Sequence, residues 1–196
     1  MDQKIKNLLQ TPKISCMKQF FSFLLTLTIL VNANAQKMYA TKSGQIKFNA
    51  SSPLETIKAV NNQADSRWLE SNGQIVFSVL IKGFKFENQL MEDHFNENYM
   101  ESGKFPKAEF KGFINDIQHI DLVNPGGNEI TADGTLTIHG VTQKVVVTGS
   151  LTVLSSGKIM LKSDIKIKLK DYNISGNLIG SKIAPDATIS VYCIYE

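Results

Sequence analysis

Residues Ile159 to Lys170 alternate without a slip: Ile159, Leu161, Ser163, Ile165, Ile167 and Leu169 hold one parity, and Met160, Lys162, Asp164, Lys166, Lys168 and Lys170 the other. Successive side chains of a strand point to opposite faces, whereas a helix would spread these lysines around its whole circumference. The run therefore predicts an extended strand with one apolar and one charged face. The same parity recurs in Ile130, Ala132, Gly134, Leu136, Ile138 and in Val145, Val147, Gly149, Leu151, Val153, so these strands share one buried side.

Turn signals separate the alternating runs: Asn72-Gly73, Pro125-Gly126-Gly127-Asn128, His139-Gly140 and Ser155-Ser156-Gly157. Residues of this kind between two strands mark hairpins. About eight strands are expected, near 45–51, 55–69, 74–86, 107–118, 129–138, 143–154, 158–170 and 186–195. Strands this long, joined by hairpins, form a twisted antiparallel sheet that removes its edges by closing on itself. The expected fold is thus all-β, an eight-stranded antiparallel barrel, with a two-sheet sandwich as the second choice.

Two segments break the pattern. In Glu87 to Met100, Met91, Phe95 and Tyr99 fall at helical spacing with Leu90 beside them, while Glu92, Asp93, Asn96 and Glu97 take the other side. This predicts one short amphipathic helix with a solvated acidic face, ended by Gly103 and Pro106. Asp171 to Pro185 reads as an irregular connection carrying Ile174, Leu178, Ile179 and Ile183, either a cover over one end of the barrel or a gate for a ligand.

The N-terminus carries a different message. Lys4, Lys6, Lys13 and Lys18 precede a charge-free segment, Phe20 to Val31, and Ala33-Asn34-Ala35 follows. Basic region, short apolar region and small-residue site make a secretory signal, too short to span a bilayer, which needs roughly 20 apolar residues. The expected division is a signal peptide over 1–35 and a single domain over 36–196. Processing near Ala35 leaves 17 basic residues of 21 and 17 acidic of 18. The basic balance of the whole chain thus belongs to the signal, and nothing favours a nucleic-acid partner. Cys16 is lost and Cys193 is left alone, without a partner for an internal disulfide. Its parity with Val191 and Tyr195 places it in the core.

Enzymatic signatures are missing: no G-x-S-x-G, no phosphate-cradling glycine loop, no H-E-x-x-H and no zinc-spaced cysteines. Asp93, His94 and Glu97 approach a metal constellation, but zinc takes three or four protein ligands, so a solvated acidic face is the expectation. His119 and His139 read as surface histidines, and Trp68 as packing or rim contact. No cofactor and no metal are expected. Ala108, Gly112, Ala132, Gly134, Gly149, Ser163 and Ala187 fall at inward positions, where they either leave a hollow lumen or relieve crowding at strand bends.

HFNENYMESGKFPKAEFKG (His94 to Gly112), GTLTIHGVTQKVVV (Gly134 to Val147) and IKLKDYNI (Ile167 to Ile174) resemble the YceI-like family of exported lipid-binding proteins, in that family's order and spacing from about Tyr39 onward. The resemblance implies a lipocalin-like barrel whose lumen holds a polyisoprenoid, an isoprenoid quinone or a similar amphiphile, and a carrier rather than an enzyme. Glu92, Asp93, Glu97 and Glu101 depart from the more basic helix of the family. Expected lumen contacts are Phe77, Phe110, Leu136, Val147, Leu161, Ile165 and Ile167, with Phe84, Phe95, Tyr99 and Leu178 at the entrance. Such a protein would be periplasmic or secreted, a monomer or homodimer, with at most peripheral membrane contact. Two alternatives stand beside it: a small outer-membrane barrel, which shows the same period with polarity reversed, and a metal-dependent hydrolase centred on His94 and Glu97.

Overall fold

A computed structural model describes residues 36–196; the expected signal peptide, Cys16 and the expected cleavage site lie outside them. Nine strands follow in order: β1 (Met38–Ser51), β2 (Lys58–Leu69), β3 (Gln74–Leu80), the two-residue β4 (Lys85–Phe86), β5 (Lys107–Ile114), β6 (Gly126–Ile138), β7 (Val141–Val153), β8 (Ile159–Lys168) and β9 (Ile183–Tyr195). Neighbours pair antiparallel in the order β1-β9-β8-β7-β6-β5-β3-β2-β4, and β1 also pairs with β2. That last pairing turns an open sheet into a closed eight-stranded barrel, with β4 as a short appendage on β2.

The alternation sets which way each strand faces. On β8, Ile159, Leu161 and Ile167 are buried while Lys162, Asp164, Lys166 and Lys168 are exposed. Apolar side chains point in and charges point out, the inverse of a transmembrane barrel, whose outer band is apolar. The outer-membrane alternative is therefore corrected by the direction of the side chains.

The hairpins form where expected, except that Gly126 to Asn128 already belong to β6, pairing with Leu151 to Val153. At the β6–β7 turn His139 and Gly140 both take positive φ, 51° and 74°. This is the two-residue turn whose twist matches the strands. Other boundaries move for local reasons. The run 74–86 breaks at a 3-10 turn, Ile81–Gly83, where the Asn61 side chain donates to the Leu80 carbonyl at 3.0 Å. The run 107–118 stops at Ile114 because Asp116 turns left-handed, with φ 51°. β1 starts at Met38, seven residues before the expected 45, and β9 at Ile183, so the connection after β8 is shorter than read. Its first turn is a 3-10 helix, Leu169–Tyr172.

The helix is two pieces. Helix α1 (Gln89–His94), capped by Asn88, runs into a π-turn, Phe95–Tyr99, in which the Met100 N–H reaches back to the Phe95 carbonyl. The wider turn makes Met100, rather than Tyr99, the buried residue one turn on from Phe95. Phe95 is buried and Met91 half-buried as expected, but Leu90 is exposed and Glu92 is buried. Glu92 is no member of a solvated face: it accepts from Lys85 Nζ at 2.6 Å and from the Phe86 N–H at 3.3 Å.

Candidate ligand cavity in the barrel lumen

One end of the barrel is packed solid. Trp68 stacks on Tyr39 at 4.3 Å between ring centroids and meets Tyr195 edge-on at 6.2 Å. Leu151, Val153, Ile159 and Cys193 fill the remaining space, all essentially without solvent exposure. The Tyr195 hydroxyl hydrogen-bonds Ser66 Oγ at 2.7 Å, and burial holds its pKa well above the ordinary tyrosine value. Burial likewise pushes the Cys193 thiol up to about 11, which makes it inert, since the thiolate is the reactive form.

The other end is hollow. A cavity of about 230 Å³ runs through it, lined almost wholly by carbon. An apolar cavity of about 150 Å³ already stays dry and takes up benzene, so this one is large enough to bury several carbon units of a chain. All eleven residues expected at the site line it: Phe77 on β3, Phe110 on β5, Leu136 on β6, Val147 on β7, and Leu161, Ile165 and Ile167 on β8, with Phe84, Phe95, Tyr99 and Leu178 around the open end. Phe95 is the hub of that end, within 5.8 Å of Phe48 and Phe84 and 5.0 Å of Phe86.

Further lining residues went unread. Ile46 and Phe48 on β1 share the wall with Ile189 and Val191 on β9; the parity of Ile46 and Phe48 was a signal available in the sequence. Ile57, Phe86, Met91 and Met100 add to the open end. A few polar groups reach the same space: His94, and an ion pair of Lys182 with Glu55 at 3.7 Å. These come from the α1, β1–β2 and β8–β9 regions, so only the closed barrel brings them together.

The small inward residues divide into two kinds. Ala108, Ala132, Gly149 and Ser163 line the cavity, whereas Gly112, Gly134 and Ala187 do not. Gly112 and Gly134 are register partners on β5 and β6, and the Phe110 ring lies over them. A Cβ would come within 2.9 Å of that ring at Gly112 and 2.8 Å at Gly134. They seat an aromatic side chain and hollow nothing.

Two expectations about histidine change. His94 does line the cavity, but Glu97 does not, and Asp93 is held by Gln89 at 2.9 Å. Among the described residues no three His, Cys, Asp or Glu stand together as metal ligands, so the hydrolase alternative has no assembled centre. His139 is not a free surface residue. Its ring bonds Glu101 Oε2 at 2.8 Å and the Tyr172 carbonyl at 3.2 Å and packs edge-on to Phe105, leaving the side chain 9% exposed. This ties the β6–β7 turn to the segment after the helix.

Solved structures show the same fold at low identity. A polyisoprenoid-binding domain from Saccharophagus degradans, implicated in plant cell wall breakdown, superposes with a TM-score of 0.70 at 13% identity, covering 82% of this chain and 98% of its own. BcnA of Burkholderia cenocepacia gives 0.63 at 15%, covering 77% and 95%. The YCEI protein of Campylobacter jejuni gives 0.53 at 20%, covering 68% and 80%. No curated protein matches the chain. The model of the YceI-like domain matches residues 26–193, across every strand of the barrel but the last two residues of β9, and the chain therefore belongs to the YceI-like family.

Proposed function

We propose that this protein is an exported binding protein or carrier for a lipid-like amphiphile, a polyisoprenoid or an isoprenoid quinone, and that it catalyses no reaction. The observation that carries the reading is the carbon-lined hollow in a barrel whose other end is filled. The polyisoprenoid-binding description of the Saccharophagus degradans relative points the same way. The chain's alkyl part lies among Phe110, Leu136, Ile165 and Ile167, and its polar end meets His94 and the Glu55–Lys182 pair. Export follows from the signal read in residues 1–35, with release into the periplasm or the medium after cleavage near Ala35.

Energetics favours exchange over trapping. Each CH₂ taken from water contributes about 0.8 kcal/mol, so a stretch of roughly ten carbons would approach the −8 kcal/mol of micromolar affinity. A bilayer offers the same lipid a similarly apolar home, and most of that gain cancels. The protein then moves a lipid between membranes rather than withdrawing it from them.

Mass spectrometry of organic extracts from protein purified out of its own host tests the reading. A prenyl lipid should come with the wild-type protein and be lost from Ala132→Phe, which fills the lumen. A lumen that is empty and also refuses added polyprenols defeats it.

A further inference from the structure

The barrel wall is not continuous. β7 and β8 pair from Val153↔Ile159 to Gly149↔Ser163, and there the ladder stops. Val141 to Thr148 on one strand and Asp164 to Lys168 on the other have no partner across this seam, though β7 stays fully paired to β6 and β8 to β9. Closed barrels exist without edges, so two facing edges inside one wall form a slit.

The slit opens into the lumen. At the paired end the inward residues Leu151 and Leu161 are buried, whereas Val147 and Ile165, where the ladder has ended, are only partly buried. Thr148 and Ser163 border the cavity, and the Thr148 side chain itself faces outward. Side-chain bonds pin both ends of the gap: Ser163 Oγ donates to the Thr148 carbonyl at 2.7 Å, and Gln143 Nε2 to the Asp171 carbonyl at 2.9 Å. At about 3.3 Å per residue the opening is roughly 20 Å long, the shape of an extended chain lying sideways.

Along its two edges Lys144, Lys166, Lys168 and Lys170 outnumber the exposed carboxylates Asp164 and Asp171. Val146 is 69% exposed at the middle. Lys144, Lys168 and Lys170 stand exposed around it with no ion-pair partner among the described residues, while Lys166 is paired with Asp186 at 3.1 Å. Free cations around an exposed aliphatic group fit an anionic bilayer surface, where each lysine near the headgroups adds to attraction.

We propose that the slit between β7 and β8 is the door through which the lipid passes sideways, with the lysine-bordered rim set against an anionic membrane. This rests on the lipid-binding reading above. The open end under Phe95 is then a site for the head group rather than the route of admission.

A tether across the gap tests it. Val146→Cys and Lys166→Cys face outward on opposite rims and can be joined by a reducible bis-maleimide; buried Cys193 does not compete. Asp133→Cys with Val146→Cys, register partners on the intact β6–β7 seam, is the control. The readout is uptake of parinaric acid, a fluorescent long-chain polyene, from phosphatidylglycerol vesicles. The tether across the slit should slow uptake about tenfold or more until it is reduced, and the control tether should not. Independently, combined Lys144→Glu, Lys168→Glu and Lys170→Glu should slow uptake from phosphatidylglycerol by about a hundredfold at low salt and leave uptake from phosphatidylcholine nearly unchanged. Uptake at the wild-type rate in either arm overturns the proposal and leaves lipid binding intact. Failure of the untethered wild-type protein to take up any probe overturns both.

Discussion

The two halves of β7 and β8 behave as different materials. Where Leu151 and Val153 pair with Leu161 and Ile159 the strands are laddered together; Leu151, Val153 and Ile159 vanish into a core with Trp68, Tyr195 and Cys193, and Leu161 stands where that core meets the cavity. From Val141 to Thr148 and Asp164 to Lys168 the same strands, with the same alternation, part and line a hollow. Sequence pattern is shared, so the difference comes from backbone pairing and from what stands opposite. Tyr39, Trp68 and Tyr195 interlock at the packed end, whereas the rings that line the hollow half share its wall with small residues such as Ala108 and Ala132. Stability concentrates at one end and leaves the other free to be filled.

The sharpest contrast is by truncation. Leu151→Ala at the packed end should cost about 2–5 kcal/mol, because a close-packed side chain leaves a void. Ile165→Ala beside the slit should cost well under half of that, since its neighbours are already incomplete. Urea midpoints of the two variants measure it, and equal losses would erase the distinction between the halves.

Alkali should strike the packed end first. Burial raises the Cys193 thiol from 9.0 to about 11 and the Tyr195 hydroxyl in the same direction. The unfolded chain therefore releases these protons at lower pH than the folded one, so stability is whole below about pH 9 and falls as pH rises through 11. The thiol's share is about 2–3 kcal/mol at about 1.4 kcal/mol per unit. Urea titrations from about pH 8 to 11 should show the decline, shallower in Cys193→Ala.

A smaller loss belongs to the buried Ser66–Tyr195 hydrogen bond. Tyr195→Phe strands the serine hydroxyl and should cost about 1–3 kcal/mol. Gln143→Ala, which unpins the open end of the slit, should cost at most about 1 kcal/mol yet speed lipid exchange. Thermal melts and vesicle-transfer rates on the two variants separate a contact that holds the fold from one that holds a door.

Alternation made the inward faces legible because it is local: Ile159 through Leu169 carry their direction in their spacing. What it could not carry was pairing between strands distant in sequence. The slit depends on where β8 leaves β7, and nothing in either strand's own pattern records that. The burial of Glu92 depends on Lys85 and on the Phe86 N–H, which the short β4 brings against the helix. His139 looked like a surface residue because its partner Glu101 is 38 positions away. The small residues were ambiguous for the same reason: only the fold separates Ala132, which borders the hollow, from Gly134, which lies under Phe110.

Intermolecular nuclear Overhauser contacts between a bound polyprenol and the protein's methyl and ring protons test the central claim most directly. The hollow half predicts contacts at Phe110, Leu136, Val147 and Ile165, and none at Leu151, Val153 or Ile159. A polyprenol held by the protein with no contact to the first group, or with equal contact to the second, would contradict a lumen-bound lipid.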